Sequence, residues 1–177
     1  MSYFALTIRY SLDVIVLCKL LIEDEKVLPY ARMAEELGMS ASETHAAIGR
    51  LQEGRLIAPG GRNIQRQAFR NFLKYGISHV FPARESEPSR GIPTAWAAPV
   101  FDGAFNTSSE PPPVWAHPKG TVRGSSVVPL YKSGPDAALN DQRLYDFLAL
   151  IDAVRLGRAR ERKSALEKLK ALISDNG

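Results

Sequence analysis

The chain has 177 residues, 45% hydrophobic and 24% charged, with a formal net charge of +4 and a pI near 9.3. A chain of this length buries about 70% of the surface that its unfolded form exposes, and the composition is globular, neither disordered nor membrane-like. The longest apolar run, Val14 to Ile22, is broken by Lys19 and falls far short of a bilayer span. The chain does not open with a basic region, an apolar stretch and a small-residue cleavage site, so no signal peptide is expected. A single cysteine, Cys18, excludes an internal disulfide. Together these features predict a cytoplasmic protein.

In chain order, Tyr3 to Ile8 alternates like a short edge strand, and Ser11 is placed to cap a first helix that runs to about Glu23. The acidic segment Glu23-Asp24-Glu25 reads as a loop. Pro29 suits the first turn of a second helix, on which Ala31, Ala34 and Leu37 share a face. Gly38 supplies the left-handed residue that ends it. Ser40 and Glu43 form a capping-box pattern for a third helix. Thr44, Ile48 and Leu51 recur at i, i+4 and i+7, so they face inward. Two short helices joined by a glycine turn make a helix-turn-helix, whose second helix commonly enters the DNA major groove.

Next, Arg55-Leu56-Ile57 reads as a strand, Pro59-Gly60-Gly61 as a turn, and Asn63-Ile64 as the returning strand. Three helices followed by a hairpin is the order of a winged helix. A fourth helix, about Arg66 to Tyr75, carries Ala68, Phe69, Phe72 and Leu73 as its apolar stripe, and Ile77 to Phe81 is strand-like. Ten of the twelve prolines then fall between Pro82 and Pro135, interleaved with Trp96, Phe101, Phe105 and Trp115. Linkers lack so many large apolar residues, so this part is read as an extended wrap pinned by aromatics. Short strands are expected near Val114 and over Val122–Val128, with a mobile loop within Asp102 to Pro113. Helices return from Pro135. Leu144, Phe147, Leu148, Ile151 and Val154 make one stripe, Gly157 interrupts, and a last helix over Arg158 to Ile173 turns Leu166, Leu169 and Leu172 or Ile173 inward. The expected class is mainly α with a small β component: a winged helix-turn-helix over 1–81, a proline- and aromatic-rich wrap over 82–134 and a helical segment over 135–177.

Charge is unevenly spread. Asp13 to Glu43 holds seven acids and three bases, Arg50 to Lys74 six bases and one acid, and Arg155 to Lys170 seven bases and two acids. A phosphate-facing surface needs such asymmetry, and solvated helix faces produce it too. With Thr44, Ile48 and Leu51 inward, Ser42, Glu43, His45, Ala46 and Gly49 face outward and Arg50 lies toward the edge. Bases are most often read by Arg, Lys, Asn or Gln, none of which stands at the centre of this face. Ser42 and His45 can each make one contact, Ala46 can touch a thymine methyl, and Gly49 permits close approach. Glu43 is either the cap or a cytosine reader. Arg62 at the wing tip can reach a minor groove or a phosphate, and Arg66 and Arg70, four apart, can hold two phosphates or be plain solvated charge. In the run Arg155, Arg158, Arg160 and Arg162, several cations sit near a helix start, where the macrodipole opposes them. An anion or an acidic partner there relieves that cost, and pairing with Glu161 is the plainer reading.

Motifs for catalysis are missing. His45, His79 and His117 are scattered without metal-ligand spacing, and no GxGxxG, Walker loop or GxSxG occurs. No cofactor, no metal and no enzymatic activity are expected.

The stretch ELGMSASETHAAIGRLQEGRLI resembles the helix-turn-helix and wing of bacterial winged-helix regulators, the MarR-like broad group. Leu37, Gly38, Met39, Ser40, Ser42, Ile48, Arg50, Leu51, Leu56 and Ile57 fit that pattern. Glu43, Ala46 and Gly49 stand where such regulators carry polar or basic base-contacting residues. The likeness covers about residues 11–75, and RGIPTAWAAPV and DAVRLGRARERK resemble an uncharacterised bacterial family with the same N-terminal module. The resemblance implies a homodimeric regulator of transcription that binds double-stranded DNA. By analogy with small winged-helix antitoxins, a protein-binding module that engages an acidic partner through the C-terminal basic helix is the second expectation.

Overall fold

The computed structural model describes residues 3–23, 28–105 and 109–174, with the side chains of the first helix from Ser11 onward. It is mainly helical, with one small three-stranded sheet. Helices α1 (Tyr3–Ile22), α2 (Tyr30–Leu37) and α3 (Ala41–Glu53) come first, then α4 (Arg66–Tyr75) and the single turn α5 (Ile77–Val80). Strands β1 (Glu85–Pro93), β2 (Pro113–Ala116) and β3 (Val122–Val127) follow, with two 3₁₀ turns between β1 and β2. The chain closes with α6 (Gly134–Asn140), α7 (Gln142–Leu156) and α8 (Ala159–Ser174).

The core is built around α7. Every residue from Phe147 to Val154 is buried, so this helix is covered on all sides rather than along one stripe. It packs against α1, α5, α6, α8 and the first 3₁₀ turn. One continuous buried cluster takes Leu17 and Leu20 from α1, Phe69 from α4, Trp115 from β2 and Leu169 from α8. The residues assigned to three successive sequence segments therefore share one interior. The five apolar residues expected on α7 are all buried, and Gly157 ends the helix in the left-handed conformation.

Several local expectations are corrected. Tyr3 to Ile8 is the first part of α1, not a strand, and Ser11 lies buried within that helix rather than capping it. Once the long apolar segment nucleates a helix, each added residue gains a hydrogen bond, so local alternation is overridden. On α2 the inward residues are Met33, Ala34 and Leu37, while Ala31 is exposed. Arg55 to Ile57 is not a strand. The amides of Arg55, Leu56 and Ile57 donate to the carbonyls of Gln52 and Leu51 at the end of α3, and Arg55 takes a positive φ of 57°. Only Ile57 and Ile64 pair across the turn. Ile77 to Phe81 is the helical turn α5 and its cap, since a short apolar run carries no decisive period. On α8, Ala165, Leu169 and Ile173 are buried, whereas Leu166 and Leu172 are half-buried. The acidic loop at Asp24-Glu25 and the centre of the expected mobile loop, 106–108, lie outside the described residues.

The two expected short strands are present as β2 and β3, and β1 adds a third that the proline content concealed. β1 is antiparallel to both partners, while β2 and β3 meet in parallel over two residues, so the sheet closes on itself. Closure this tight requires bare backbone. A Cβ on Gly120 would stand 2.3 Å from Gly91 Cα, and one on Gly124 would stand 1.9 Å from the Pro112 carbonyl oxygen. Gly120→Ala is therefore expected to lower stability by about 1–3 kcal/mol through overpacking. Thermal melting checks this, and an unchanged midpoint would show that the small sheet is looser than its backbone distances indicate.

Candidate nucleic-acid interface

The candidate interface is centred on α3. Its start is fixed by a complete capping box: the Glu43 amide donates to Ser40 Oγ at 3.2 Å, and the Ser40 amide donates to Glu43 Oε2 at 2.9 Å. Glu43 thus serves as the cap, which resolves its two sequence readings. Thr44, Ala47, Ile48 and Leu51 are buried, and the Thr44 hydroxyl donates to the Ser40 carbonyl at 3.2 Å. Ser42, His45 and Ala46 are exposed, and Gly49 is partly exposed. Beyond its own turn of helix, no atom lies within 4 Å of where a Gly49 side chain would begin. The ridge expected from the sequence is therefore open along its length and carries no charge beyond the capped Glu43.

Arg50, expected at the edge of that ridge, is turned onto α1. Its Nε donates to Asp13 Oδ2 at 3.0 Å and its NH2 group to Asp13 Oδ1 at 2.6 Å. Burial pushes the Asp13 carboxyl above its usual range, and the Arg50 guanidinium opposes that push. The pair locks the back of α3 to α1.

Arg62 does lie beside the ridge. Its guanidinium sits 4.1 Å from the centre of the Tyr30 ring and donates to the Leu28 carbonyl. His45 approaches the same ring edge-on at 5.2 Å. Tyr30 thereby ties the start of α2, the exposed face of α3 and the turn before α4 into one corner, a role the sequence reading missed. Gln52 Nε2 donates to the Gly61 carbonyl at 2.8 Å and holds the turn against α3.

A second contributor comes from a distant part of the chain. Ser133 Oγ donates to the Leu37 carbonyl at 2.6 Å, so the segment before α6 clips the turn between α2 and α3. Burial, with a smaller push from the Glu43 carboxylate, raises the Tyr131 phenol. Lys132, exposed, adjoins Ser133 in the chain. No local signal could have found the Ser133 contact, because Leu37 and Ser133 are 96 residues apart.

The remaining basic candidates mostly serve the fold. Arg66 donates to the Ile173 carbonyl at the end of α8 at 2.7 Å, and Arg162 donates to the Lys74 carbonyl at the end of α4 at 2.6 Å. The two helices are clasped antiparallel at both ends. Arg70 reaches Ser174 Oγ at 2.9 Å. Arg155 donates to the Phe81 carbonyl at 2.8 Å and pairs with buried Asp152. Arg143 does the same for the end of α1 through the Ile22 carbonyl. Guanidiniums that satisfy the last carbonyls of helices complement their negative ends, and this accounts for much of the basic excess without an outside anion. Arg158 stacks 4.7 Å from the centre of the Trp96 ring and pairs with Glu110, while Arg160 is exposed.

Among the described residues, no group of three or more His, Cys, Asp or Glu side chains is placed to hold a metal. In the same residues no helix is long and apolar enough to cross a membrane. Comparison with known protein families, curated proteins and solved structures yields no match.

Proposed function

We propose that this protein is a DNA-binding regulator of the winged helix-turn-helix type, with α3 as the element that enters the major groove. The observation that carries this reading is the open, nearly uncharged ridge of Ser42, His45, Ala46 and Gly49. A glycine within a helix costs up to about 1 kcal/mol relative to alanine, and nothing inside the molecule crowds this one. Close approach by a surface outside the chain gives Gly49 a purpose. Arg62, beside the ridge, would meet a phosphate, a contact that positions a protein on a duplex without reading sequence. Ser42 and His45 supply the polar contacts to base edges, and Ala46 the apolar one. A homodimer would present two such helices to successive half-sites.

The test is retention of duplex DNA drawn from a random-sequence library by the wild type and by Ala46→Glu and Gly49→Glu. Ala46 is exposed, and no neighbouring element crowds a side chain at Gly49, so the fold tolerates the new side chains. A carboxylate driven into the phosphate field costs several kcal/mol, so affinity is expected to fall by about 100-fold or more. Wild-type binding should also weaken steeply with added salt. Equal retention by wild type and both variants would remove α3 as the contact.

A further inference from the structure

A second surface lies away from α3, between the antiparallel helices α4 and α8. They leave an open trough of about 760 Å³. Its floor is apolar: Leu73 and Leu169 are buried there and Leu166 is half-buried. Its rim is cationic, with Lys74, Lys163 and Lys170 exposed and Arg70 beside them, and Glu167 is the carboxylate among the described residues that line it. Tyr75, at the end of α4, is 64% exposed, with the Lys74 ammonium 4.8 Å from its ring centre. Arg70 Nε is shielded from solvent and has no hydrogen-bond acceptor. An orphaned donor of this kind is costly, and it belongs to a residue that lines the trough.

We propose that this trough docks an acidic amphipathic helix of a partner protein. Two parallel-sided helices with an apolar floor offer the groove into which such a helix lays anchors spaced i, i+3 and i+7. The ten residues of α4 span about 15 Å at the usual helical rise, enough for about three turns of a guest. Charge decides between occupants. A second copy of this chain related by two-fold symmetry would bring cation against cation. A duplex would satisfy the rim but give no apolar cover to Leu166 and Tyr75, the apolar side chains that water reaches. A small ligand would remain largely exposed, whereas small-molecule sites enclose most of their ligand. A helix with leucines on one face and carboxylates beside them satisfies floor and rim together. This proposal is independent of DNA binding by α3.

The experiment is selection from a displayed library of helical peptides about four turns long, with the full chain as bait and Lys163→Glu/Lys170→Glu as the counter-selected form. Both lysines are exposed, so the double variant is expected to melt with the wild type. Enriched peptides should carry apolar residues at i, i+3 or i+4 and i+7, flanked by Asp and Glu. Fluorescence anisotropy of one such labelled peptide should show affinity at least about tenfold weaker for the double variant, while retention of duplex DNA is unchanged. Enrichment of neutral or basic peptides, or no enrichment, overturns the proposal. So does a double variant that keeps peptide affinity, or one that loses DNA instead, which would assign the trough to nucleic acid.

Discussion

Asp152→Ala is expected to be the most damaging single substitution in the interior. The Asp152 carboxylate is 1% exposed and organises three parts of the chain. Its Oδ2 accepts from the Trp115 indole at 2.7 Å and from the Thr94 hydroxyl at 2.9 Å, and its Oδ1 accepts from Arg155 at 2.5 Å. Thr94 follows β1 and Trp115 lies in β2, so this one side chain of α7 anchors the proline-rich wrap to the helical core. Tyr145 reinforces the attachment by donating to the Pro93 carbonyl at 2.6 Å, and burial pushes its phenol up to about 12. Truncating Asp152 leaves the Arg155 guanidinium buried without its counter-charge and two further donors without an acceptor. Breaking a buried pair from one side typically costs about 3–5 kcal/mol, which in a chain of this size lowers the melting temperature by about 10 °C. Asp152→Asn, which keeps a carbonyl oxygen for Thr94 and Trp115, should lose less. Urea denaturation checks both values, and a loss below about 1 kcal/mol for Asp152→Ala would mean that the wrap is held by packing alone.

Lys19→Met should give a smaller loss with a distinctive pH dependence. The Lys19 ammonium lies 2.7 Å from Glu36, 2.8 Å from Asp141 and 2.9 Å from Glu23, and its side chain is 4% exposed. Burial alone would pull its pKa down, but hydrogen bonds to Asp141, Glu36 and Glu23 outweigh it and hold the lysine above its ordinary value. For Asp141, burial pushes upward and the hydrogen bond from Lys19 wins, leaving the carboxyl below its usual range. Glu36 is held low chiefly by Lys19, against burial and with help from Arg32. The signs then follow. The carboxylate contribution is complete above the unfolded values of about 3.9 and 4.3 and is lost as pH falls through the lower folded ones. The lysine contribution is complete below about 10.4 and is lost as pH rises through the higher folded value. At neutral pH the methionine variant leaves three carboxylates facing one another, partly reached by water, and should lose about 1–3 kcal/mol. Below about pH 4 Asp141 and Glu36 begin to protonate and the difference from wild type should shrink. A difference that stays constant from pH 7 to pH 3 would contradict the network's electrostatic role.

The contrast between these two sites shows what the sequence made legible. Capping residues and periodic stripes act within a few residues, so Gly38, the Ser40–Glu43 box, the bounds of α4 and the stripe of α7 could be read directly. The inward seam of α3 and its exposed counterpart were legible for the same reason. The partners of charged residues were not. Lys19 looked like a flaw in an apolar run, yet it meets Asp141, 122 residues away. Arg66 looked like a phosphate ligand and Arg162 like part of a site for an anion or acidic partner, yet each closes the end of a helix 107 or 88 residues distant. Tyr30 joins the candidate interface by similar packing, through Arg62 and His45. Charge counts register such residues without revealing whether a backbone carbonyl or an outside anion receives them.

The most direct measurement asks what the α3 ridge touches. Cys18 is fully buried, and burial raises its thiol well above the usual range, so a cysteine introduced at the exposed position 46 is the reactive one. Ala46→Cys, carrying a short photo-crosslinker and mixed with duplex DNA selected by the wild type, should form an adduct that maps to base edges in the major groove. The same probe at Glu87→Cys, exposed on β1, should form none. No duplex selected by the wild type, no adduct from position 46, or equal adducts from both positions would contradict insertion of α3 into DNA.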